Sequence, residues 1–467
     1  MLVLAMVPWG TMMGREQSKE RLEERITVAE DGRSLVDETG REFFYLADTA
    51  WELFHKLTRE EAEVYLSTRA SQGFTVVQAV ALAELDGLHT PNAYGYVPLK
   101  GDDPTQPDMR PGENDDYWDQ VDWVVRRANE KGLYVALLPT WGCYWHDGER
   151  TIFNKENARA YGRWMGQRYR DAKVIWVLGG DRNPENESQR AVLRAMAEGL
   201  REGDGGIHLI TYHPGGAWGS ADFFHGEEWL DFNMRQNGHG TEYGIYRKTY
   251  DDYCRQPARP VIDGEPVYED HPVAFDAARR GHTVAADCRR ALYWDLFNGA
   301  CGHTYGHHSV WQMADGQHQG VNNPLYSWRE ALHQPGAEQM RYARRLLEDR
   351  PGHRVPVTER VLVGERNIPT AWPGTGVGHF AATMDEGGSW LMVYAPVGRK
   401  FWVDTSVLKG ERLKGWWFNP RNGKRQRMGH VEKGERVEFI SPDPGEIVDW
   451  VLVVEGGGKS RKLREVI

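Results

Sequence analysis

The stretch Val174–Asn183, VIWVLGGDRN, decides how the rest of the chain is read. Val174 to Leu178 are apolar without a break, Gly179-Gly180 ends the run, and Asp181 follows. An apolar run that does not alternate reads as a short strand covered on both faces. A glycine at its end leaves room for a ligand against the backbone, and the carboxylate after it projects from a rigid element. Arg259–Pro266, RPVIDGEP, has the same order: Val261-Ile262 run into Gly264 and Glu265.

Outward from these two stretches the same beat repeats. Strands are expected at Phe43–Ala47, Thr75–Leu82, Tyr134–Leu138, Val174–Leu178, His208–Tyr212, Asp231–Met234, Val261–Asp263 and Gly302–Gly306. Helices are expected between them at Thr58–Gln72, Asp116–Lys131, Asn154–Arg170, Ser188–Glu202, Glu242–Arg255 and Val273–Phe297, and after them at Ala337–Asp349. Thr58 and Glu61 form a capping box for the first helix, and Gly73 and Gly132 stand where helices stop. Eight near-continuously apolar strands alternating with helices predict a closed (β/α)₈ barrel, a TIM barrel. The rival is a doubly wound open sheet, but the first strand ends in LADTAW rather than a glycine-rich phosphate loop.

Before the barrel, residues 1–25 read as a tail, and Ile26–Glu42 as a hairpin with turns at Asp31-Gly32 and Thr39-Gly40. The barrel is expected over residues 26–350. Beyond Arg350-Pro351-Gly352 the helical period gives way to short strands between Gly, Asp and Asn turns. Ser389–Ala395, Phe401–Thr405, Leu413–Phe418, Val437–Ile440 and Trp450–Val454 are examples. They predict an antiparallel β-sandwich over residues 355–458, followed by a polar tail. A chain of 467 residues is long for one core, in keeping with two domains.

The formal net charge of -11 argues against a nucleic acid or an anionic membrane as partner. No run approaches the roughly 18 apolar residues of a membrane span. The four cysteines, Cys143, Cys254, Cys288 and Cys301, are scattered without a CxxC, so reduced thiols are expected. The apolar start MLVLAMVPWGTMMG has no basic n-region and no small-x-small cleavage site. A cytoplasmic setting is therefore favoured over a secreted or periplasmic one. Nineteen Trp and twenty Tyr fit either a large aromatic core or a cleft whose rings pack on sugar faces.

In a barrel the site lies where the strands end. Asp181 follows the fourth strand and Glu265 the seventh, so the two carboxylates can converge across the mouth. Such a pair suits hydrolysis of a glycosidic bond: one attacks the anomeric carbon while the other protonates the leaving oxygen. The retaining version needs the carboxyl groups about 5–5.5 Å apart and a raised pKa on the acid. A lone strand-end acid could equally cap a helix or pair with a surface cation, and the matched placement favours chemistry. Asp48, Trp51, Glu52, Glu84, Trp141, His213, Gln236, Asn237, Tyr305 and Trp311 also fall at strand ends, where they could bind hydroxyls, stack on a ring, or serve the core. His303, Tyr305, His307 and His308 invite a metal reading. Metal hydrolases on this barrel put an HxH pair after the first strand, where this chain has Asp48-Thr49-Ala50, so neither metal nor cofactor is expected.

The segments FFYLADTAWELFHKLTREEAEVYLSTRASQGFTVVQAVALAELDGLHTPNAYG (Phe43–Gly95), VIWVLGGDRNP (Val174–Pro184) and PVIDGEPVYE (Pro260–Glu269) resemble the apiosidase-like glycoside hydrolases, glycoside hydrolase family 140. The likeness extends through the C-terminal β domain. It implies a (β/α)₈ barrel followed by a β-sandwich, and retaining hydrolysis of apiosidic linkages in plant pectin. It also implies acid/base and nucleophile roles for Asp181 and Glu265. Related barrels usually carry Asn-Glu after strand four; this chain has Gly180-Asp181, one methylene shorter, so the acid must sit closer or the cleft be narrower. The β domain resembles one sometimes labelled collagen-binding, a label that nothing in Pro356–Gly458 supports. The expected partner is an oligosaccharide or small glycoside. The alternatives are an arabinofuranosidase, a sugar-binding protein on a silent barrel, or a metal-dependent hydrolase. Oligomeric state is not legible.

Overall fold

A computed structural model describes residues 25–112, 114–146, 148–240, 244–316, 320–350, 352–364 and 378–456. The expected N-terminal tail up to Glu24 and the polar tail from Gly457 lie outside the described residues. The hairpin forms first, with β1 (Ile26–Val28) antiparallel to β2 (Leu35–Asp37).

All eight expected barrel strands form: β3 (Tyr45–Thr49), β4 (Val76–Val80), β5 (Tyr134–Leu138), β6 (Val174–Gly179), β7 (Ile210–His213), β8 (Asn233–Arg235), β9 (Val261–Asp263) and β10 (Gly302–Tyr305). Their ladders are parallel in the order β7-β6-β5-β4-β3-β10-β9-β8. At the seam the Asp231 N–H donates to the Ile210 carbonyl at 2.9 Å, and Thr211 Oγ1 to that of Phe232 at 2.7 Å. The fold is thus a TIM-type barrel, bridged at this point by hydrogen bonds outside the strand ladders. The strands are buried along their length, which explains the absence of polar alternation.

The helices between the strands start where their caps dictate. Thr58 and Glu61 form the capping box of Arg59–Ser71. The Asp116 carboxylate accepts the Trp118 and Asp119 N–H groups at the start of Tyr117–Glu130. Helices Lys155–Arg168 and Glu187–Asp204 approach closely because glycines face each other. A Cβ on Gly162 would stand 2.5 Å from the Met196 carbonyl oxygen, and one on Gly199 would stand 2.2 Å from that of Arg159. One expectation fails: Val273–Phe297 is not a single helix. A 3₁₀ turn (Val273–Phe275) and a short helix (Ala277–Arg280) precede the long helix Ala285–Phe297. The break falls at Gly281, at φ 71° and ψ -159°, a conformation that only glycine adopts readily.

The helix Pro335–Glu348 follows the barrel. Then come β11 (Arg354–Pro356), β12 (Leu362–Val363), β13 (Ala381–Asp385), β14 (Trp390–Ala395), β15 (Gly398–Val403), β16 (Leu413–Phe418), β17 (Arg425–Val431), β18 (Val437–Gly445) and β19 (Trp450–Gly456). They form two antiparallel sheets, β11-β13-β14-β19-β16-β17 and β12-β15-β18, around a core that includes Phe401, Trp417 and Phe439. The larger sheet rests on helix Ala285–Phe297. Arg289 grips Asp449 with two nitrogens at 2.7 and 2.9 Å, both residues buried, and the Tyr293 and Tyr394 rings stack at 4.8 Å. No helix of the described residues is long and apolar enough to cross a membrane.

Candidate active site

Strand β6 ends in three successive left-handed residues: Gly179 (φ 96°), Gly180 (φ 92°) and Asp181 (φ 56°). A Cβ on Gly179 would meet the His213 carbonyl oxygen at 2.2 Å, and one on Gly180 the Gly142 nitrogen at 2.7 Å. The two glycines therefore let the chain turn tightly against β5 and β7, and Asp181 is delivered at the mouth. Its Oδ1 accepts from Gln236 Nε2 at 3.1 Å and its Oδ2 from Arg182 Nη1 at 3.2 Å. Burial, and then the charge of Glu265, push its carboxyl above the usual aspartate value.

Glu265 follows β9 and is 6% exposed. Its Oε1 accepts from His239 Nε2 at 3.0 Å. Its Oε2 lies 3.1 Å from His213 Nε2 but is not aligned for a hydrogen bond, and among the described residues it has no donor. Burial opposes ionisation of Glu265, but His213 and His239 outweigh it and hold the carboxyl well below the usual glutamate range. His213 also accepts the Asp181 backbone N–H at Nδ1, 3.2 Å away, so its own proton sits on Nε2, toward Glu265. One imidazole thus holds the turn carrying one carboxylate and stands 3.1 Å from the side chain of the other.

Behind Glu265 is a buried polar network. Asp263 Oδ1 accepts the Glu265 backbone N–H at 3.2 Å, and its Oδ2 accepts from Asn237 Nδ2 at 2.7 Å. Asp295, on helix Ala285–Phe297, accepts from Thr249 Oγ1 at 2.7 Å and lies 2.8 Å from His303 Nδ1. Burial pushes both carboxyls up to about 7, and each has the other as its neighbour. The pair fixes the end of β9 from below.

The cleft above has a volume of about 570 Å³. Of the residues singled out in the sequence, Trp51, Glu84, Trp141, Asp181, Gln236, Asn237, Glu265 and Trp311 line it. Trp51 and Trp141 form one wall, their rings 5.2 Å apart, with His213 packed 5.3 Å from Trp51. Burial and the charge of Asp181 push the Glu84 carboxyl up to about 7.

Four singled-out residues stand apart from the lining: His213, packed behind Trp51, and Asp48, Glu52 and Tyr305. Asp48 is buried against Arg69 and Tyr65, each at 2.7 Å. Glu52 holds His55 at 2.7 Å and the Leu85 N–H at 3.2 Å. Tyr305 donates to Glu269 at 2.6 Å. The histidine cluster is likewise spread over separate partners: His303 faces Asp295, His307 faces Asp270 at 3.2 Å, and His308 faces the Asn322 carbonyl at 3.2 Å. Among the described residues no three His, Cys, Asp or Glu side chains are grouped to hold a metal ion.

Sequence reasoning missed His239, Tyr268, His271 and Phe275, all in the lining. His239 stacks on His271 with ring centres 3.9 Å apart. Its signal was present: the loop Asn237-Gly238-His239-Gly240 follows a strand end, where glycines flank a functional side chain. Backbone strain also collects here, since Asp181, Ala217, Ala274, Phe275 and Asn322 all have positive φ and all line the cleft.

The family model of the apiosidase-like catalytic domain matches residues 29–353, and that of a collagen-binding domain of a collagenase matches residues 367–455. Among curated proteins there is no match. A solved structure described as a glycoside hydrolase is 31% identical with a TM-score of 0.84, covering 94% of this chain and 98% of its own. A glycoside hydrolase family 5 structure from Bacteroides vulgatus is 30% identical with a TM-score of 0.84, covering 92% of this chain and 93% of its own. With its catalytic-domain model spanning the whole barrel, the chain belongs to the apiosidase-like family and is a glycoside hydrolase of TIM-barrel type.

Proposed function

We propose that the protein is a retaining apiosidase acting on apiose-containing plant glycans or glycosides, with Glu265 as nucleophile and Asp181 as acid/base. The observation that carries this reading is the contrast between the two carboxyls of one cleft. Glu265 is held ionised by His213 and His239, while Asp181 is pushed toward retaining its proton. That division is what acid-assisted nucleophilic displacement requires. Oε2 of Glu265 is buried and without a donor, which suits an oxygen that attacks carbon better than one that holds a water.

In the first step Oε2 bonds to the anomeric carbon as the glycosidic C–O bond breaks, and the Asp181 proton passes to the leaving oxygen. In the second, Asp181 takes a proton from water, the water oxygen bonds to the anomeric carbon, and the glycosyl–Glu265 bond breaks. Gln236 and Asn237 supply amides for ring hydroxyls, and Trp51, Trp141 and Trp311 supply apolar faces.

The test is release of phenol from an aryl β-apioside and from an aryl α-L-arabinofuranoside, both with EDTA present. Release from the apioside alone supports the proposal. Release from the arabinofuranoside alone keeps the two-carboxyl chemistry and changes the sugar. Methanolysis monitored by NMR reads the stereochemistry, and a product of inverted configuration would refute retention.

A further inference from the structure

Trp218 is the one exposed tryptophan among the described residues, with 50% of its surface open to solvent. It stands in the loop 214–219 after β7, outside the lining of the cleft, whereas its neighbours Gly216 and Ala217 belong to that lining.

The loop is pinned at two places. The Gly215 N–H donates to Asn183 Oδ1 at 2.9 Å, on the turn that carries Asp181. The Ala217 N–H donates to the Gln236 carbonyl at 2.8 Å, and the Gln236 N–H donates to the Trp218 carbonyl at 3.0 Å. Gln236 is also the residue whose amide reaches the Asp181 carboxyl. Between these bonds Ala217 is held at φ 69°, a strained conformation for a residue with a side chain. The ring is supported as well as the backbone. It packs 5.6 Å from Phe223, which packs 6.3 Å from Tyr212, whose hydroxyl donates to the Arg182 carbonyl. Trp218 therefore borders the turn of Asp181. The exposed ring of Phe275 lies instead beside His239, on the side of Glu265.

In a displacement by Glu265 the leaving group departs away from the attacking oxygen, toward the acid that protonates it. What departs lies along residues 181–183 and the loop 215–218. A large apolar ring, held open to solvent there by a pinned and strained loop, offers its face to another ring.

We propose that Trp218 binds the leaving group, and that the natural leaving group presents a ring face, of a sugar or of an aromatic alcohol, rather than a simple alkyl chain. The contact serves the first step only, because the leaving group is gone before water attacks. The inference rests on the proposed roles of Glu265 and Asp181.

The experiment compares Trp218→Ala with the unaltered enzyme on three substrates of the sugar it cleaves. These are the glycosyl fluoride, whose leaving group has no ring, the phenyl glycoside, and a disaccharide whose leaving group is glucopyranose. On the fluoride kcat/KM should stay within about twofold. On at least one ring-bearing substrate it should fall about tenfold, the size of one lost ring contact. Loss on the phenyl glycoside alone identifies an aromatic alcohol, and loss on the disaccharide identifies a sugar. Trp218→Phe, which keeps a ring, should recover most of the rate. No loss on either ring-bearing substrate overturns the proposal, as does an equal loss on the fluoride.

A second measurement needs no turnover. In Glu265→Ala enzyme carrying ¹⁵N-indole tryptophan, the Trp218 signal is identified by its loss in Trp218→Phe. It should move on addition of the phenyl or glucopyranosyl glycoside of β-apiose or α-L-arabinofuranose, and not with the methyl glycoside of the same sugar. If no glycoside is cleaved, the functional reading fails and this spectrum still decides the inference. A Trp218 signal that no ring-bearing glycoside moves, or that the methyl glycoside moves equally, overturns it.

Discussion

Replacing His239 with Phe tests the claim that a neighbouring imidazole keeps the nucleophile ionised. His239 Nε2 donates to Glu265 Oε1 at 3.0 Å, and its Nδ1 is buried without a partner, so the change removes one hydrogen bond and no other. Phe keeps an aromatic ring against Tyr268, His271 and Phe275. Glu265 is 6% exposed, so solvent does not replace the lost donor, and His213 is not aligned on the other oxygen. A hydrogen bond to a charged group contributes roughly 1.5–3 kcal/mol. At about 1.4 kcal/mol per unit, the Glu265 pKa should rise by about 1–2 units. Because the ionised form attacks, the ascending limb of kcat/KM should move up by that amount. Activity on the acid side should then fall by about tenfold to a hundredfold, with much smaller loss on the plateau. The assay is kcat/KM against pH on the aryl glycoside, with circular dichroism to confirm folding. An ascending limb that stays in place would refute the reasoning, since the imidazole would then contribute only shape.

Three further outcomes follow from the geometry. Asp181→Asn should slow cleavage of a poorly activated leaving group by roughly 10²–10⁴-fold, and of a nitrophenol far less; equal loss on both would remove Asp181 from proton transfer. Asp48→Ala strands the fully buried Arg69 cation, a loss of about 3–5 kcal/mol in urea unfolding, and a loss below about 1 kcal/mol would show the cation finding water. Asp263 and Asp295 have folded-state pKa values raised to about 7, against about 3.9 in an unfolded chain. Between those values the folded state binds the extra protons, so this contribution should be full below about pH 4, decline as pH rises, and level off above about pH 7. Urea midpoints across that range in the enzyme and in Asp295→Asn should differ in slope, and identical slopes would contradict the shared network.

How legible the molecule was depended on what kind of signal each part left. The barrel strands were legible because both faces are covered, so each is an apolar run cut by a glycine or an acid. Asp181 and Glu265 stood at two of those cuts. His239 carried only a local signal, a glycine on either side in a loop after the three-residue strand β8, and its role depends on a carboxylate from another strand. Asp48 and Glu52 occupied equally suggestive positions, yet their partners Arg69 and His55 come from neighbouring helices, which strand-end reasoning does not see. The Val273–Phe297 break turned on the backbone angles of Gly281 within a favourable helical composition. Strand β17 was missed because RQRMGHV is mostly exposed, an edge strand guarded by charge rather than built from apolar residues. Strand β13, AATMD, is buried but rich in alanine, which favours strands weakly.

Helix Ala285–Phe297 is a wall shared by two rooms. One side carries Asp295, which belongs to the network behind Glu265; the other carries Arg289 and Tyr293, locked onto Asp449 and Tyr394. The C-terminal sheets are therefore not a detachable appendage that could be exchanged among enzymes like a fitting. Cutting the chain after the barrel would leave a guanidinium without its counter-ion and a tyrosine without its cover. The same cut would loosen the foundation under the nucleophile, so a barrel made alone would be lamed as well as fragile.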